Sequence, residues 1–274
     1  MNLLTRFVLL LGLLACVGVS VDAQTGARQK TLPVPGETLQ IGEYEAFIIR
    51  PAGAGVGAGM GAGRRTPWVW YAPTLPGLPD QEERWMFERW VKAGIAIAGI
   101  DVGESYGSPD GRAGFTALYR ELTERRGFAS KPVLLGRSRG GLMTLNWAAE
   151  NADKVAAWAG IYPVCNLVSY PGLAKASGAY GLTPRQLEET LGEHNPIDRL
   201  ADLARARVPL FMIHGDVDLI VPLEDNSQEL RSRYFALGGG QVRLIVPRGQ
   251  GHNRWPGFFQ NQELVDFVIE HARR

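Results

Sequence analysis

From Trp68 onward, short continuous apolar runs alternate with longer stretches whose apolar residues recur every three or four positions. Trp68 to Tyr71, Ile95 to Ile100, Pro132 to Leu135, Val155 to Ile161, Pro209 to Ile213 and Val242 to Val246 read as strands too apolar to leave a face in water. Between them, Glu82 to Lys92 carries Trp85, Met86, Arg89 and Trp90 at helical spacing, and Phe115 to Arg125 sets Leu118 and Leu122 four apart. Gly140 to Glu150, Glu224 to Ala236 and Glu263 to Ala272 read as further helices. Buried strands separated by amphipathic helices predict a parallel sheet covered on both faces, with right-handed crossovers. Adding the alternating segment Tyr44 to Arg50, the pattern predicts an α/β protein with a mostly parallel central sheet of about eight strands.

Three segments break the rhythm. Residues 163–206 hold several Pro, Gly and Asn residues and one helical piece, Pro184 to Leu191, and read as a short lid-like insertion over the sheet. Residues 24–35 are polar and proline-containing, as in a tether. Pro51 to Gly63 is nearly all Gly and Ala and reads as a flexible hairpin loop. It lacks the Gly-Lys-Ser/Thr ending of a phosphate loop.

The first residues predict export. Arg6 opens a short positive region, Phe7 to Val19 is apolar, and Val21-Asp22-Ala23 ends in small groups where a signal peptidase cuts. Cleavage after Ala23 removes 1–23 and leaves 24–274 as a single domain in the periplasm or outside the cell. The apolar run is shorter than the ~20 residues a membrane span needs, so an uncleaved anchor ranks below cleavage. Cys16 after Leu-Leu-Ala offers a lipoprotein signal, which the second Leu fits poorly.

Net charge is +1, with no long run of one sign, so neither nucleic acid nor an anionic membrane is expected as a partner. Once the signal is removed, Cys165 is the lone cysteine and forms no internal disulfide. No Gly-rich turn precedes it, and it reads as a small buried apolar side chain.

The strongest local signal is Gly136-Arg137-Ser138-Arg139-Gly140-Gly141, directly after the strand Val133-Leu134-Leu135 and directly before a helix. Gly-x-Ser-x-Gly in that setting is a nucleophile elbow: a strained strand-to-helix turn lifts the serine above the sheet at a helix N-terminus. A serine needs a base oriented by an acid, and the order Ser, Asp, His is present. Asp216 and Asp218 follow the strand that ends at His214, and His252 follows a Gly-rich loop after Val242 to Val246. Spacing alone does not choose between the two acids. Of the four histidines, His252 has the right order; His214 reads as structural, His194 as surface or rim, and His271 as a cation at a helix C-terminus.

These residues resemble the α/β-hydrolase superfamily over nearly the whole mature sequence, closest to its dienelactone-hydrolase and prolyl-oligopeptidase-like branches. The pattern His-Gly-x-x-Asp-x-x-Val-Pro of those branches is met by His214, Gly215, Asp218, Val221 and Pro222. The resemblance makes Asp218 the catalytic acid and implies the α/β-hydrolase fold. It also implies an oxyanion hole with one donor on Arg139 and a second from the loop after Trp68 to Tyr71. Family members often carry His-Gly there; this chain has Ala72-Pro73-Thr74-Leu75-Pro76, whose prolines have no N–H, leaving Thr74, with Leu75 as the alternative.

The expected reaction is hydrolysis of a small-molecule or carbohydrate-linked carboxylic ester through an acyl-Ser138 intermediate, without metal or organic cofactor. No His-x-x-x-His pair, cysteine cluster or dinucleotide fingerprint is present. Arg137 and Arg139 flank the nucleophile, and one guanidinium facing the mouth would favour an anionic or oxygen-rich acyl group. Glucuronoyl esterases are similar in placing Arg directly after the serine. Tyr106, Trp147, Tyr162, Tyr170, Trp255 and Phe258 are candidates to line a cleft, Tyr106 and Tyr162 foremost. Two alternatives stand beside this reading. One is a prolyl-oligopeptidase-like peptidase, whose relatives usually carry a gating domain for which the mature chain leaves no room. The other is a non-catalytic binding protein on the same scaffold.

Overall fold

A computed structural model describes residues 30–52 and 65–274. The signal segment 1–23 with Cys16, the first part of the tether and most of the Gly/Ala loop lie outside the described residues.

Apolar runs become the expected strands because continuous burial on both faces selects extended segments over amphipathic helices. Among the described residues, eight strands form one sheet in the order β1-β2-β4-β3-β5-β6-β7-β8. These are β1 (Glu37–Ile41), β2 (Tyr44–Ile49), β3 (Trp68–Ala72), β4 (Ala96–Ile100), β5 (Val133–Arg137), β6 (Ala157–Ile161), β7 (Leu210–Ile213) and β8 (Val242–Ile245). Only β2 runs against its neighbours; β4, β3 and β5 to β8 are parallel. This is the α/β-hydrolase fold. The strands β3 to β7 are buried at every position.

Two apolar layers sandwich the sheet. One gathers Trp68, Trp70, Phe115, Leu118, Trp147 and Trp158 beneath α2 (Pro109–Arg120) and α3 (Gly140–Glu150). The other gathers Phe47, Tyr71, Phe87, Trp90, Leu135 and Phe267 beneath α1 (Arg84–Lys92) and the C-terminal helix Gln262–Ala272. α2 begins earlier than its Leu118/Leu122 stripe suggests, because Ser108 caps it and Pro109 opens it.

Two expectations change. Residues 30–35 are no loose tether: Lys30 and Val34 are buried, and Val34 joins the second apolar layer. They lead into β1, an edge strand that pairs antiparallel with β2 and was hidden by its half-exposed, weakly alternating residues.

Between β6 and β7, short helical turns such as Leu173–Ala176 and Pro184–Glu189 share an apolar cluster with Leu142 of α3 through Ala176 and Leu187. Tyr180 Oη donates to Tyr106 O at 2.8 Å, Asn146 Nδ2 to His194 O at 2.8 Å, and Arg199 to Asn146 Oδ1 at 2.8 Å. Among the described residues, no helix is long and apolar enough to cross a membrane.

Candidate active site

The elbow forms as its glycines require. Ser138 has φ of +51°, a left-handed conformation that costs a non-glycine residue about 1–3 kcal/mol unless its surroundings hold it. Three backbone hydrogen bonds do so: Ser138 N–H to Ile161 O at 3.0 Å, and Gly141 and Val164 N–H to Ser138 O at 2.9 and 2.8 Å. A Cβ on Gly140 would lie 2.0 Å from Ala72 O, so the start of α3 presses directly against the end of β3.

The acid and base arrive on the loops after β7 and β8. Ser138 Oγ lies 2.8 Å from His252 Nε2, and His252 Nδ1 lies 2.8 Å from Asp218 Oδ2. An ionised Asp218 only accepts, so Nδ1 carries the ring proton and Nε2 is free to take the proton of Ser138. Asp218 Oδ1 accepts from Ile220 and Val221 N–H at 3.0 and 2.9 Å. Burial alone would raise the Asp218 pKa, but hydrogen bonds from His214, His252 and Val221 N–H hold it well below the usual carboxylate range. Asp216 instead accepts from Gly249 N–H at 2.7 Å and takes no part in this chain. The acid and base loops meet at Gly215, where a Cβ would lie 2.0 Å from Gln250 O.

His214 is fully buried. Its Nε2–H donates to Val221 O at 2.8 Å, so Nδ1 accepts from Ser227 Oγ at 2.8 Å; Nε2 is also 3.4 Å from Asp218 Oδ2. His194 is half-buried against Tyr180 rather than on the surface. His271 corrects an expectation. It is buried against Phe267, and burial lowers its pKa, because the last helix packs this face inward.

A cavity of about 450 Å³ opens over Ser138, lined by residues that include Pro73, Leu75, Leu78, Asp80, Arg137 and Tyr162. Leu75 faces it, while Thr74 does not: Thr74 turns inward, its hydroxyl donating to Tyr71 O at 3.3 Å. Among the described residues, no group accepts from the N–H of Thr74, Leu75 or Arg139, and of the first two Leu75 is the one that lines the cavity.

The flanking arginines are already paired. Arg137 donates to Glu83 Oε1 at 2.7 Å and to Tyr162 Oη at 3.1 Å, and lies 3.4 Å from Asp80 Oδ2. Burial alone would lower its pKa, yet the surrounding oxygens of Tyr71, Glu83, Tyr162 and Asp80 hold it above the ordinary guanidinium value. Arg139 pairs with Glu104 at 2.7 Å. Both arginines line the cavity, each already engaged by a carboxylate.

Tyr162 lines the cavity, its ring 4.4 Å from that of His252, and burial pushes its pKa up to about 12. Tyr106 does not: it is buried under the β6–β7 segment, where its carbonyl receives Tyr180. Trp147 and Phe258 are core residues, Tyr170 packs within the β6–β7 segment, and Trp255 is partly exposed.

Sequence reasoning missed Asp80 and Glu83. Asp80-x-x-Glu83 forms a capping box, with Asp80 Oδ1 accepting from Glu82 N–H and Glu83 Oε2 from Asp80 N–H. That four-residue signature was readable as a helix start; its pairing with Arg137 was not. Among the described residues, no three His, Cys, Asp or Glu side chains converge as metal ligands.

A model of the prolyl oligopeptidase family matches residues 114–270, more than half of the chain and the part that carries Ser138, Asp218 and His252. The chain belongs to the prolyl oligopeptidase family. As a member it is a serine hydrolase. It is 26% identical over 132 residues to an acylamino-acid-releasing enzyme of Arabidopsis thaliana, covering 45% of this chain and 17% of that protein. The chain thus spans about a sixth of the length of the curated relatives it matches. In fold it is similar to dipeptidyl peptidase 4 of Porphyromonas gingivalis, with TM-score 0.68 and 15% identity over 87% of this chain and 36% of that one. It is also similar to Est1E from Butyrivibrio proteoclasticus, with TM-score 0.62 and 16% identity over 87% of this chain and 99% of that one.

Proposed function

We propose that this prolyl oligopeptidase family member cleaves short peptides or N-acylated amino acids through an acyl-Ser138 intermediate. The observation that carries the reading is the hydrogen-bonded chain from Ser138 through His252 to Asp218 at the floor of an open cavity. Ser138 Oγ attacks the scissile carbonyl as its proton passes to His252 Nε2. Asp218, held ionised, orients the ring and offsets the positive charge that develops on it. The N–H groups of Arg139 and Leu75 receive the oxyanion. His252 returns the proton to the leaving amine, water attacks the acyl-enzyme by the same route, and Ser138 is regenerated with a carboxylic acid as product.

Family membership supports a peptide bond ahead of the carboxylic ester expected from sequence. Esters follow as further substrates, because the acyl-enzyme is the same and an alkoxide leaves more readily than an amine. A carbohydrate-linked or uronate ester loses its support, since Arg137 and Arg139 are held in ion pairs.

Peptide nitroanilides, acylaminoacyl nitroanilides, simple acyl esters and uronate methyl esters, run on wild type and Ser138→Ala, test the reading. Turnover of the amides that disappears in Ser138→Ala is expected. Turnover of esters alone would return the assignment to an esterase. Failure of a fluorophosphonate to label Ser138 would leave a binding protein. Export, which rests on residues 1–23, is read from the N-terminus of the mature protein, expected at Gln24.

A further inference from the structure

The loop that supplies the second oxyanion donor is poorly equipped to hold itself. Pro73, Pro76 and Pro79 lie within it, and none has an N–H to give. Among the described residues, its local ties are a turn in which Leu78 N–H donates to Leu75 O at 2.9 Å and the bond of the Thr74 hydroxyl to Tyr71 O at 3.3 Å. A further hold comes from Lys30, far upstream of the loop and of the family-matched residues. Its ammonium donates to Leu75 O at 2.7 Å and to Leu78 O at 3.3 Å, so one side chain clasps both ends of the turn. The side chain is 1% exposed, and the carboxylate paired with it, Asp101, is 4.0 Å away. A buried ammonium is costly to leave unpaired, and here backbone carbonyls are its closest partners. The backbone around Lys30 is anchored in turn, because Leu32 and Val34 pack against the apolar layer that contains Tyr71.

We propose that Lys30 is a positioning residue for catalysis: by clasping Leu75 O and Leu78 O it fixes the Leu75 N–H at the oxyanion site. The inference rests on the reading of Leu75 as the second oxyanion donor. A donor must already sit where the oxyanion forms, since reorganisation during the reaction would forfeit its benefit. A loop that relaxes by an ångström still binds substrate but stabilises the transition state less. The segment just after the expected signal cleavage site thereby becomes part of the catalytic apparatus.

The test uses the full chain as wild type, Lys30→Met and Lys30→Arg, with rates expressed per fluorophosphonate-labelled Ser138 so that misfolded protein is not counted. The substrates are an aryl ester and its thionoester, whose larger sulfur is a poor acceptor for the oxyanion hole. Lys30→Met is expected to lower kcat for the ester by about 10- to 100-fold with little change in KM. The ester-to-thionoester rate ratio should fall with it. Lys30→Arg, which keeps charge and donors, should recover most of both. Lys30→Gln, expected to show the same loss in smaller measure, replaces Lys30→Met if that variant does not fold. A wild-type ratio near one removes the oxyanion reading and the proposal with it. A large wild-type ratio left unchanged in Lys30→Met, whether or not kcat falls, overturns the proposal alone and leaves Lys30 a structural clasp.

Discussion

The two walls of the cavity are held by different means. On the wall that carries Ser138, Asp218 and His252, each functional group follows the carboxyl end of a strand within a few residues. Its conformation is fixed largely by backbone contacts, such as Ser138 with Ile161 and Val164, or Gly215 against Gln250. On the wall from Pro73 to Glu83, side chains from distant parts of the chain do the holding: Lys30 grips Leu75 and Leu78, and Arg137 grips Glu83. The first wall lies within the family-matched residues and the second outside them. The nucleophile, acid and base are thus held chiefly by backbone contacts around the ends of strands, whereas the wall from Pro73 to Glu83 depends on side chains reaching in from elsewhere in the chain.

The comparison breaks most sharply at the nucleophile. Ser138→Ala should lower kcat by roughly 10⁴- to 10⁶-fold with the fold intact, measured by nitroanilide hydrolysis beside circular dichroism. Asp218→Asn should follow with a loss of about 10⁴-fold, because the amide can favour the wrong imidazole tautomer. Asp216→Asn, whose side chain accepts from Gly249 N–H away from His252, should lose a few-fold at most. Equal losses from the two would show that the acid loop, rather than one carboxylate, matters.

On the other wall, the tie between Glu83 and Arg137 should show itself first in stability. Glu83→Gln leaves the buried Arg137 with the more distant Asp80 carboxylate, 3.4 Å away, in place of Glu83 at 2.7 Å, and should cost up to about 3 kcal/mol in urea unfolding. Gly140→Ala forces a Cβ against Ala72 O, where the walls touch, and should cost about 1–3 kcal/mol while also displacing the oxyanion loop. The smallest effect is one of pH. The depressed Asp218 pKa means that its carboxylate adds stability above the unfolded-state value near 3.8. That contribution is lost as pH falls from there through the lower folded value. Thermal melts between pH 5 and 2 should therefore fall less steeply for Asp218→Asn than for wild type.

Much of the first wall was legible. Strand, elbow and helix around Ser138 are local patterns, and the order of Asp218 and His252 follows from the fold. The second wall was not. Sequence favoured Thr74 over Leu75 as donor because only the missing N–H groups of its proline neighbours are visible there, whereas which of the two faces the cavity depends on packing beneath the loop. Tyr106 looked like a cleft residue because an aromatic in a Gly-rich loop carries no sign of what covers it. The edge strand β1 was missed because one half-buried face gives a weak alternation.

By itself, then, the sequence determined the layered α/β architecture and the nucleophile elbow, since apolar periodicity and glycine placement act over a few residues. Tertiary structure alone decided that Leu75 rather than Thr74 faces the cavity, and that Lys30, Glu83 and Arg137 hold the wall opposite the triad. Those choices depend on distances between segments brought together only when the sheet assembles, and no local pattern encodes them.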